Sequence, residues 1–338
     1  MGFCRKQFGR VAGFGAGCRL PRTPQVSFRA PGCRKVRPCN SLARGHLQHN
    51  RNLSVSLRGR EAVQAFRLFK KNLTSVSLHI RISDTDFCFA CSGNRTGEAF
   101  TFVPYNVRPQ VSLAMNLREA IEQVPLLQNL PPQIEICVNG RVTPVPLAEF
   151  QEEDAETIYN YCFRSDVANR VFYDTVPASN IVLLFALEET TCRIIEETFG
   201  ADVHYTAALT HVVQHFATKA QGMGKQNGRR IFVYTHDGVV DIAVMEDARL
   251  LMLNTYNVRT LTDVDYYVFN LAHHLGVNIA ETPVFVAGIP ALRDPVVDEL
   301  QKYAPAVYAV NPAAEFNRSA ASTHAGVPYD LICALHRK

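Results

Sequence analysis

The stretch RRIFVYTHDGVVDIAVMEDARLLMLNTYNV, residues 229–258, decides the fold of this chain. Apolar residues dominate three segments, IFVY, VVDIAVM and LLMLNTYNV, and the short polar segments THDG and EDAR separate them. Segments rich in β-branched and aromatic residues, bounded by Asp, Gly and Asn, are typical of strands joined by tight turns. The stretch therefore predicts a three-stranded antiparallel meander.

A second meander is predicted near the start of the body, over residues 73–105. Its sequence, LTSVSLHIRISDTDFCFACSGNRTGEAFTFVPY, alternates apolar and polar residues and contains two turn segments, SDTD and SGNRTGE. Helical and strand patterns follow each meander, and Asn139-Gly140 predicts a hairpin between its flanking strands. Two halves with one layout predict a duplicated α/β fold, with an N-terminal half at 73–178 and a C-terminal half at 179–335.

The first sixty residues differ from the body in charge. They contain 13 Lys and Arg and no Asp or Glu, whereas the remainder contains 22 Lys and Arg against 31 Asp and Glu. A transit peptide, a nucleic-acid-binding arm and an over-extended gene start are all compatible with this composition. We expect residues 1–60 to be a disordered basic tail from an over-extended start. The acidic body predicts no nucleic-acid partner.

The cysteines of the body follow no disulfide or metal-binding framework. They are scattered, several of them inside apolar strand-like segments, which favours reduced thiols in a cytoplasmic protein. Cys88 and Cys91 form a CFAC spacing, but residues three apart in a strand point to opposite faces, so we interpret them as core thiols. The chain has no apolar run of about 18 residues, and no membrane span is predicted.

Two other patterns are considered as binding sites and rejected. His211 and His215 in HVVQH are spaced for one helix face, with His204 as a third candidate ligand, but we interpret them as partly exposed helix histidines. The loop GMGKQNG lacks the Gly spacing and the Ser or Thr of a P-loop. We therefore predict no metal site and no catalytic residue.

The two meander-plus-helix halves resemble the actin-like ATPase superfamily, whose fold is ribonuclease H-like. Residues 181–258 resemble the branch that includes the pilus-assembly protein PilM and the secretion protein GspL. The body over 73–335, with AEFNRS and the closing GVPYDLICAL, resembles the bacterial family called domain of unknown function 3822. The resemblance implies an actin-like α/β fold.

Active members of the superfamily bind nucleotide through two hairpins, each with an Asp at the end of its first strand and a Gly in its turn. By this resemblance, Arg81 and Ser83 replace them in the first hairpin, and Tyr234 and His236 replace them in the second. Gly288 in VAGIP corresponds to the strand end that contacts adenosine. If the acidic residues have moved, the candidate cleft residues are Asp84, Asp86, Asp237, Gly238, Asp241 and Gly288.

The replaced residues favour a non-catalytic protein with no cofactor. Our first hypothesis is a cytoplasmic scaffold whose protein partner adds to a sheet edge or fills the cleft between the halves. The alternative is a nucleotide-binding protein or weak ATPase or kinase that uses ATP and Mg²⁺. A purely structural homodimer is the third hypothesis.

Overall fold

Thirteen strands form the framework of the described part of the chain. The structure is a computed structural model, and it describes residues 76–93, 100–128, 131, 133–223 and 228–337; the predicted tail at 1–60 lies outside them. The strands are β1 (Val76–Ile82), β2 (Asp86–Gly93), β3 (Thr101–Asn106), β4 (Gln133–Val138), β5 (Val142–Pro146), β6 (Asn169–Val176), β7 (Ile181–Glu188), β8 (His204–Ala207), β9 (Arg229–His236), β10 (Val239–Glu246), β11 (Arg249–Asn257), β12 (Val284–Gly288) and β13 (Val307–Ala309).

The α-helices lie between and around these strands. They are α1 (Leu113–Gln123), α2 (Ala155–Cys162), α3 (Glu189–Phe199), α4 (Ala208–Gly222), α5 (Leu261–His274), α6 (Pro290–Leu300), α7 (Pro312–Glu315), α8 (Ala320–Thr323) and α9 (Tyr329–Leu335). Short 3₁₀ helices cover Pro125–Gln128, Leu147–Glu149, Glu152–Asp154 and Pro177–Ser179. Among the described residues, no helix combines the length and the apolar character needed to cross a membrane.

Two five-stranded sheets repeat one strand order. The first sheet runs β3-β2-β1-β4-β8 and the second runs β11-β10-β9-β12-β13. In each sheet the first three strands form an antiparallel meander. A fourth strand then pairs in parallel with the first strand of the meander, and a fifth pairs in parallel with the fourth. Both predicted meanders and the duplicated α/β layout are thereby confirmed.

The hairpin predicted at Asn139-Gly140 is wrong. β4 belongs to the first sheet, whereas β5 pairs with β7 in a separate three-stranded sheet of order β5-β7-β6. A two-residue hairpin of this type needs positive φ at both central residues. Neither Asn139 nor Gly140 has one. The backbone N–H of Asn139 donates instead to the carbonyl of Ile82 at the end of β1.

The observed sheets do not divide the chain at residues 178 and 179, where the boundary between the halves was predicted. The three-stranded sheet contains β7, and the first sheet ends with β8, so the strands of the first sheet extend to Ala207. The reason is that β8 pairs in parallel with β4, and such a pair needs the long crossover that β5, β6, β7 and α3 supply.

The core between the two sheets holds the halves together. All described residues belong to one compact unit. The helices α4 and α9 contribute Phe216 and Leu331 to a single apolar cluster that also contains Ala90 from β2 and Phe232 from β9. The outer face of each sheet buries a second cluster against α1 and α3, or against α5 and α6. Both faces of β1 and β9 are therefore covered, which brings polar residues of these strands into the interior.

Candidate functional site

The side chain of Arg81 lies at the centre of the candidate site, between the two hairpin turns. Its Nε donates to both carboxylate oxygens of Asp330, at 3.1 and 2.9 Å. Its Nη1 donates to Oδ1 of Asp86 at 3.0 Å, and its Nη2 donates to Oδ2 of Asp237 at 2.6 Å. We call Arg81, Asp86, Asp237 and Asp330 the Arg81 clasp. It joins the first meander, the second meander and helix α9.

The first turn is shaped by its own hydroxyl groups. The backbone N–H groups of Thr85 and Asp86 donate to Oγ of Ser83, which donates in turn to Oδ1 of Asp86 at 2.6 Å. The hydroxyl of Thr85 lies 3.2 Å from an oxygen of Asp86 and 3.2 Å from an oxygen of Asp237. Ser83 therefore holds the carboxylate of Asp86 towards Arg81, and Thr85 bridges the two turns.

The second turn has the geometry that Asp-Gly favours. Asp237 has φ of 43° and Gly238 has φ of 75°, so both central residues are left-handed, as a type I′ turn requires. The side chain of Asp237 faces Arg81, and the amide of Asn139 also donates to it. Gly238 serves the turn, and the carboxylate of Asp237 belongs to the clasp.

His236 supplies a second cation beside the clasp. Its Nε2 is 2.7 Å from Oδ2 of Asp241, and its Nδ1 is 3.3 Å from Oδ2 of Asp237. Burial by itself lowers the pKa of His236, but Asp241 and Asp237 outweigh it and raise the pKa to about 9. At neutral pH the ring is protonated and donates to both carboxylates. The hydroxyl of Thr255 also donates to Asp241.

The charges of the clasp stabilise one another. Burial opposes the charge of Arg81, but Asp330 and the other neighbouring carboxylates raise its pKa well above the ordinary value. Burial also opposes ionisation of Asp237, but His236 and Arg81 hold its pKa well below the ordinary value. The buried ring of Tyr234 stacks on His236 with 4.3 Å between centroids. Arg81 and Tyr234 are thus the residues at the strand ends to which the resemblance assigns an Asp in active members.

Gly288 is required by close packing of strands. A Cβ at this position would lie 2.3 Å from Oγ1 and 2.6 Å from the carbonyl oxygen of Thr235, its register partner on β9. Gly288 also has φ of 140°, which side chains rarely adopt. It lines a cavity of about 480 Å³ together with residues of α6, α7, α8 and α9. We call this the Gly288 cavity.

Asp84 does not join the other acidic candidates. It is exposed and lines a separate cavity of about 360 Å³, which also contains Arg141, Tyr159 and Phe163. The structure therefore brings together Asp86, Asp237 and, through His236, Asp241, while Asp84 and Gly288 line two other cavities. The sequence predictions did not include Asp330 or Asn139. Asp330 stands in the closing motif GVPYDLICAL, which could have signalled it, whereas Asn139 had been assigned to a hairpin turn.

The carboxylates of the site are all engaged by cationic side chains. Mg²⁺-dependent phosphoryl chemistry needs carboxylate oxygens that coordinate the ion or orient the attacking water. Here Asp86, Asp237 and Asp330 accept from Arg81, and Asp241 accepts from His236. The arrangement can hold the two halves in one relative position.

The histidines, cysteines and glycine-rich loop considered in the sequence analysis lie outside the Arg81 clasp. His211 is buried, contrary to the prediction of partial exposure, because α4 lies between the sheets, and His215 contacts Glu315 at 2.8 Å. The two rings thus have different partners. Cys88 is buried and Cys91 half-buried on β2, and both are free thiols, in line with the interpretation as core residues. Residues 224–227 of the GMGKQNG loop lie outside the described residues.

Comparisons with known proteins agree with the fold described above. The family model described as "Protein of unknown function (DUF3822)" matches residues 67–307. A Bacteroides thetaiotaomicron VPI-5482 protein with actin-like ATPase fold and unknown function superposes with a TM-score of 0.65 at 22% identity, covering 74% of this chain and 96% of that one. A comparison with curated protein sequences finds no match.

Two further solved structures are similar at lower scores. A PilM-PilN type IV pilus biogenesis complex gives a TM-score of 0.48 at 12% identity, covering 78% of this chain and 97% of that one. The ethanolamine utilization protein EutJ from Carboxydothermus hydrogenoformans gives 0.34 at 11% identity, covering 69% and 84%. The superposition with the Bacteroides thetaiotaomicron protein, at a TM-score of 0.65, shows that the chain has the actin-like fold, and the resemblance predicted from its sequence is confirmed.

Proposed function

The chain belongs to the DUF3822 family, and we propose that it is a non-catalytic protein of actin-like fold that works as a protein-interaction scaffold in the cytoplasm. The Arg81 clasp carries this proposal. In active proteins of this fold, two hairpins approach nucleotide phosphates from opposite halves. In this chain the guanidinium of Arg81 lies between the corresponding turns and binds a carboxylate from each of them.

The clasp also supports a fixed relative position of the two halves. The side chain of Arg81 is 1% exposed and that of Asp330 is fully buried, so the pair is shielded from water. Separating the halves would leave these charges unpaired in the interior, which is strongly unfavourable. A two-lobed frame of fixed shape suits a protein that presents surfaces to a partner, since no ordering cost is added on binding.

The Gly288 cavity favours a second candidate function, nucleotide binding without hydrolysis. Its volume of about 480 Å³ is in the range of small-molecule sites, and its lining includes Asn311, Ser322 and Thr323 as polar groups. It adjoins the strand end that contacts adenosine in active relatives. Such a ligand would bind beside the clasp, with no carboxylate of the clasp released for Mg²⁺.

The test is a thermal-shift and hydrolysis assay on the full chain with ATP and ADP, with and without Mg²⁺. A ligand at about 100 times its Kd stabilises a fold by about 2.7 kcal/mol, which gives a clear shift. We expect no Mg²⁺-dependent shift and no phosphate release. A shift that is independent of Mg²⁺ would support the second candidate. Hydrolysis that disappears in Asp237→Asn or Asp241→Asn would overturn the non-catalytic proposal.

The partner is tested by chemical crosslinking after capture from an extract of the source organism. We expect stoichiometric capture of another protein, with crosslinks to one contiguous surface of the described body. Crosslinks only between copies of this chain, together with a doubled mass by light scattering, would favour the homodimer. A chain that stays monomeric and captures no other protein would contradict the scaffold proposal.

A further inference from the structure

Four potential metal ligands meet on the inner face of the first sheet, outside the Arg81 clasp. His79 on β1 is the register partner of Glu135 on β4, and Cys137 lies two residues further along the same face of β4. Helix α4 packs over this face and contributes His211, whose Nε2 is 3.0 Å from Oε1 of Glu135. We call these four residues the His79 cluster.

The ligand atoms of the cluster are close together. One atom each from His79, Glu135 and Cys137 lies within 4.8 Å of the other two. Ligands of a tetrahedral zinc ion bond at about 2.0 to 2.3 Å, so their mutual distances are a few ångströms. Small side-chain rotations would bring the three atoms onto one ion. Nε2 of His211 lies 3.0 Å from Oε1 of Glu135 and would have to move closer to the other two atoms to complete the set.

Two ring nitrogens of the cluster, Nδ1 of His79 and Nδ1 of His211, are buried without a hydrogen bond among the described residues. Nε2 of His211 and Oε1 of Glu135 lie 3.0 Å apart and contact each other. Nε2 of His79 is 3.3 Å from the hydroxyl of Ser77, a contact that turns Nδ1 towards Glu135. Buried polar atoms are almost always paired, so these two ring nitrogens need a partner. A cation bound among them would be that partner.

The donor types suit a cation. Zinc is bound by imidazole nitrogens, carboxylate oxygens and thiolate sulfur, and the cluster contains all three kinds of side chain. The Cys137 thiol would lose its proton to solvent as the sulfur bonds to the metal.

We propose that His79, Glu135, Cys137 and His211 bind a zinc ion. Two imidazoles, one carboxylate and one thiolate form a donor set that zinc accepts in tetrahedral geometry. The carboxylate and thiolate neutralise the two charges of the ion. Three ligands come from the sheet and one from α4, so the ion would tie the central helix to the first half. The site is structural, since its four ligands leave no open position.

One cation competes for the cluster. Nη1 of Arg337 lies 3.7 Å from Oε1 of Glu135. The side chain of Arg337 is 51% exposed and follows the last helix, so it can move into solvent when the ion binds. The side chain of Glu135 is 19% exposed, which makes this edge the entrance to the site.

The test measures zinc by mass spectrometry in the full chain purified without chelators, and in Cys137→Ser, His79→Gln and Cys192→Ser. Cys192 is a fully buried thiol on α3, in a different cluster, and serves as the matched control. We expect Cys137→Ser and His79→Gln each to lose one equivalent of zinc and Cys192→Ser to lose none. Equal zinc content in all four proteins would overturn the proposal.

X-ray absorption spectroscopy of the wild-type zinc protein makes the test independent of whether the variants fold. We expect one sulfur at about 2.3 Å and nitrogen or oxygen neighbours at about 2.0 to 2.2 Å. Substitution by Co²⁺ should give a thiolate charge-transfer band and the visible bands of a tetrahedral site. Failure of the wild type to bind zinc, or a shell with no sulfur or with several, would show that the cluster is not the site.

Discussion

Replacing Arg81 by methionine should destabilise the chain far more than removing any surface arginine. The substitution keeps much of the side-chain volume but removes the guanidinium that binds Asp86, Asp237 and Asp330. The carboxylate of Asp330 is fully buried and would lose its countercharge. Those of Asp86 and Asp237 are 24% and 26% exposed and could take up water.

The expected magnitude follows from this difference in burial. Breaking a buried ion pair by removing one partner costs about 3–5 kcal/mol, and here the cost arises mainly at Asp330. The double substitution Arg81→Met with Asp330→Asn should recover about 2 kcal/mol, because no buried charge then remains unpaired at that position. Arg170 offers a matched control, since it also lies between two carboxylates, Glu189 and Glu196, but its side chain is 34% exposed.

The assay is urea unfolding of the full chain, followed by circular dichroism and analysed for the free energy of unfolding. We expect the free energy of unfolding to fall by about 4 kcal/mol in Arg81→Met. In Arg170→Met it should fall by at most about 1 kcal/mol, as for other exposed ion pairs. If both variants lose the same small free energy, the clasp does not hold the halves together. The reasoning would then fail, and with it the main support for a closed, non-catalytic site.

Three further outcomes are expected. His236 has a folded pKa raised to about 9 against about 6.5 unfolded, so its stabilisation of up to about 3 kcal/mol is complete below pH 6.5 and lost as the pH rises through 9. Unfolding titrations across that window should therefore differ between wild type and His236→Gln. Gly288→Ala should lower the free energy of unfolding by more than about 2 kcal/mol in thermal unfolding, because the new Cβ would overlap Thr235. Gly238→Ala is the control and should cost only about 1 kcal/mol, since nothing lies near its Cβ. Asp174→Ala should cost about 2–3 kcal/mol in urea unfolding, because one of its oxygens accepts three hydrogen bonds at the junction of β8 and α4; a loss below 0.5 kcal/mol would show that water replaces it.

Local patterns were sufficient to predict the two meanders. Alternating apolar residues and turn residues such as Asp237-Gly238 act over a few positions, and the observed strands and turn agree with them. The buried strand β7 and the helices α4 and α5 follow from local patterns in the same way. The resemblance to the actin-like superfamily, and not a local pattern, assigned Arg81 and Tyr234 to the strand ends where active members have an Asp.

Local patterns were insufficient wherever pairing joins distant segments. Asn139-Gly140 has the composition of a hairpin turn, yet β5 pairs with β7, because the three-stranded sheet buries more apolar surface there than an isolated hairpin would. His211 has the spacing of a surface helix residue, yet it is buried because α4 is covered by a sheet on each side.

The partners of Arg81 show the same limit most clearly. The sequence shows a cation at the end of β1 and places Asp237 and Asp330 156 and 249 positions away, in the other half of the fold. Only the packing of α9 between the sheets and the approach of the two turns bring these carboxylates to it. A charge in the interior is stable only with its counterions, and which residues become those counterions is a property of the folded chain.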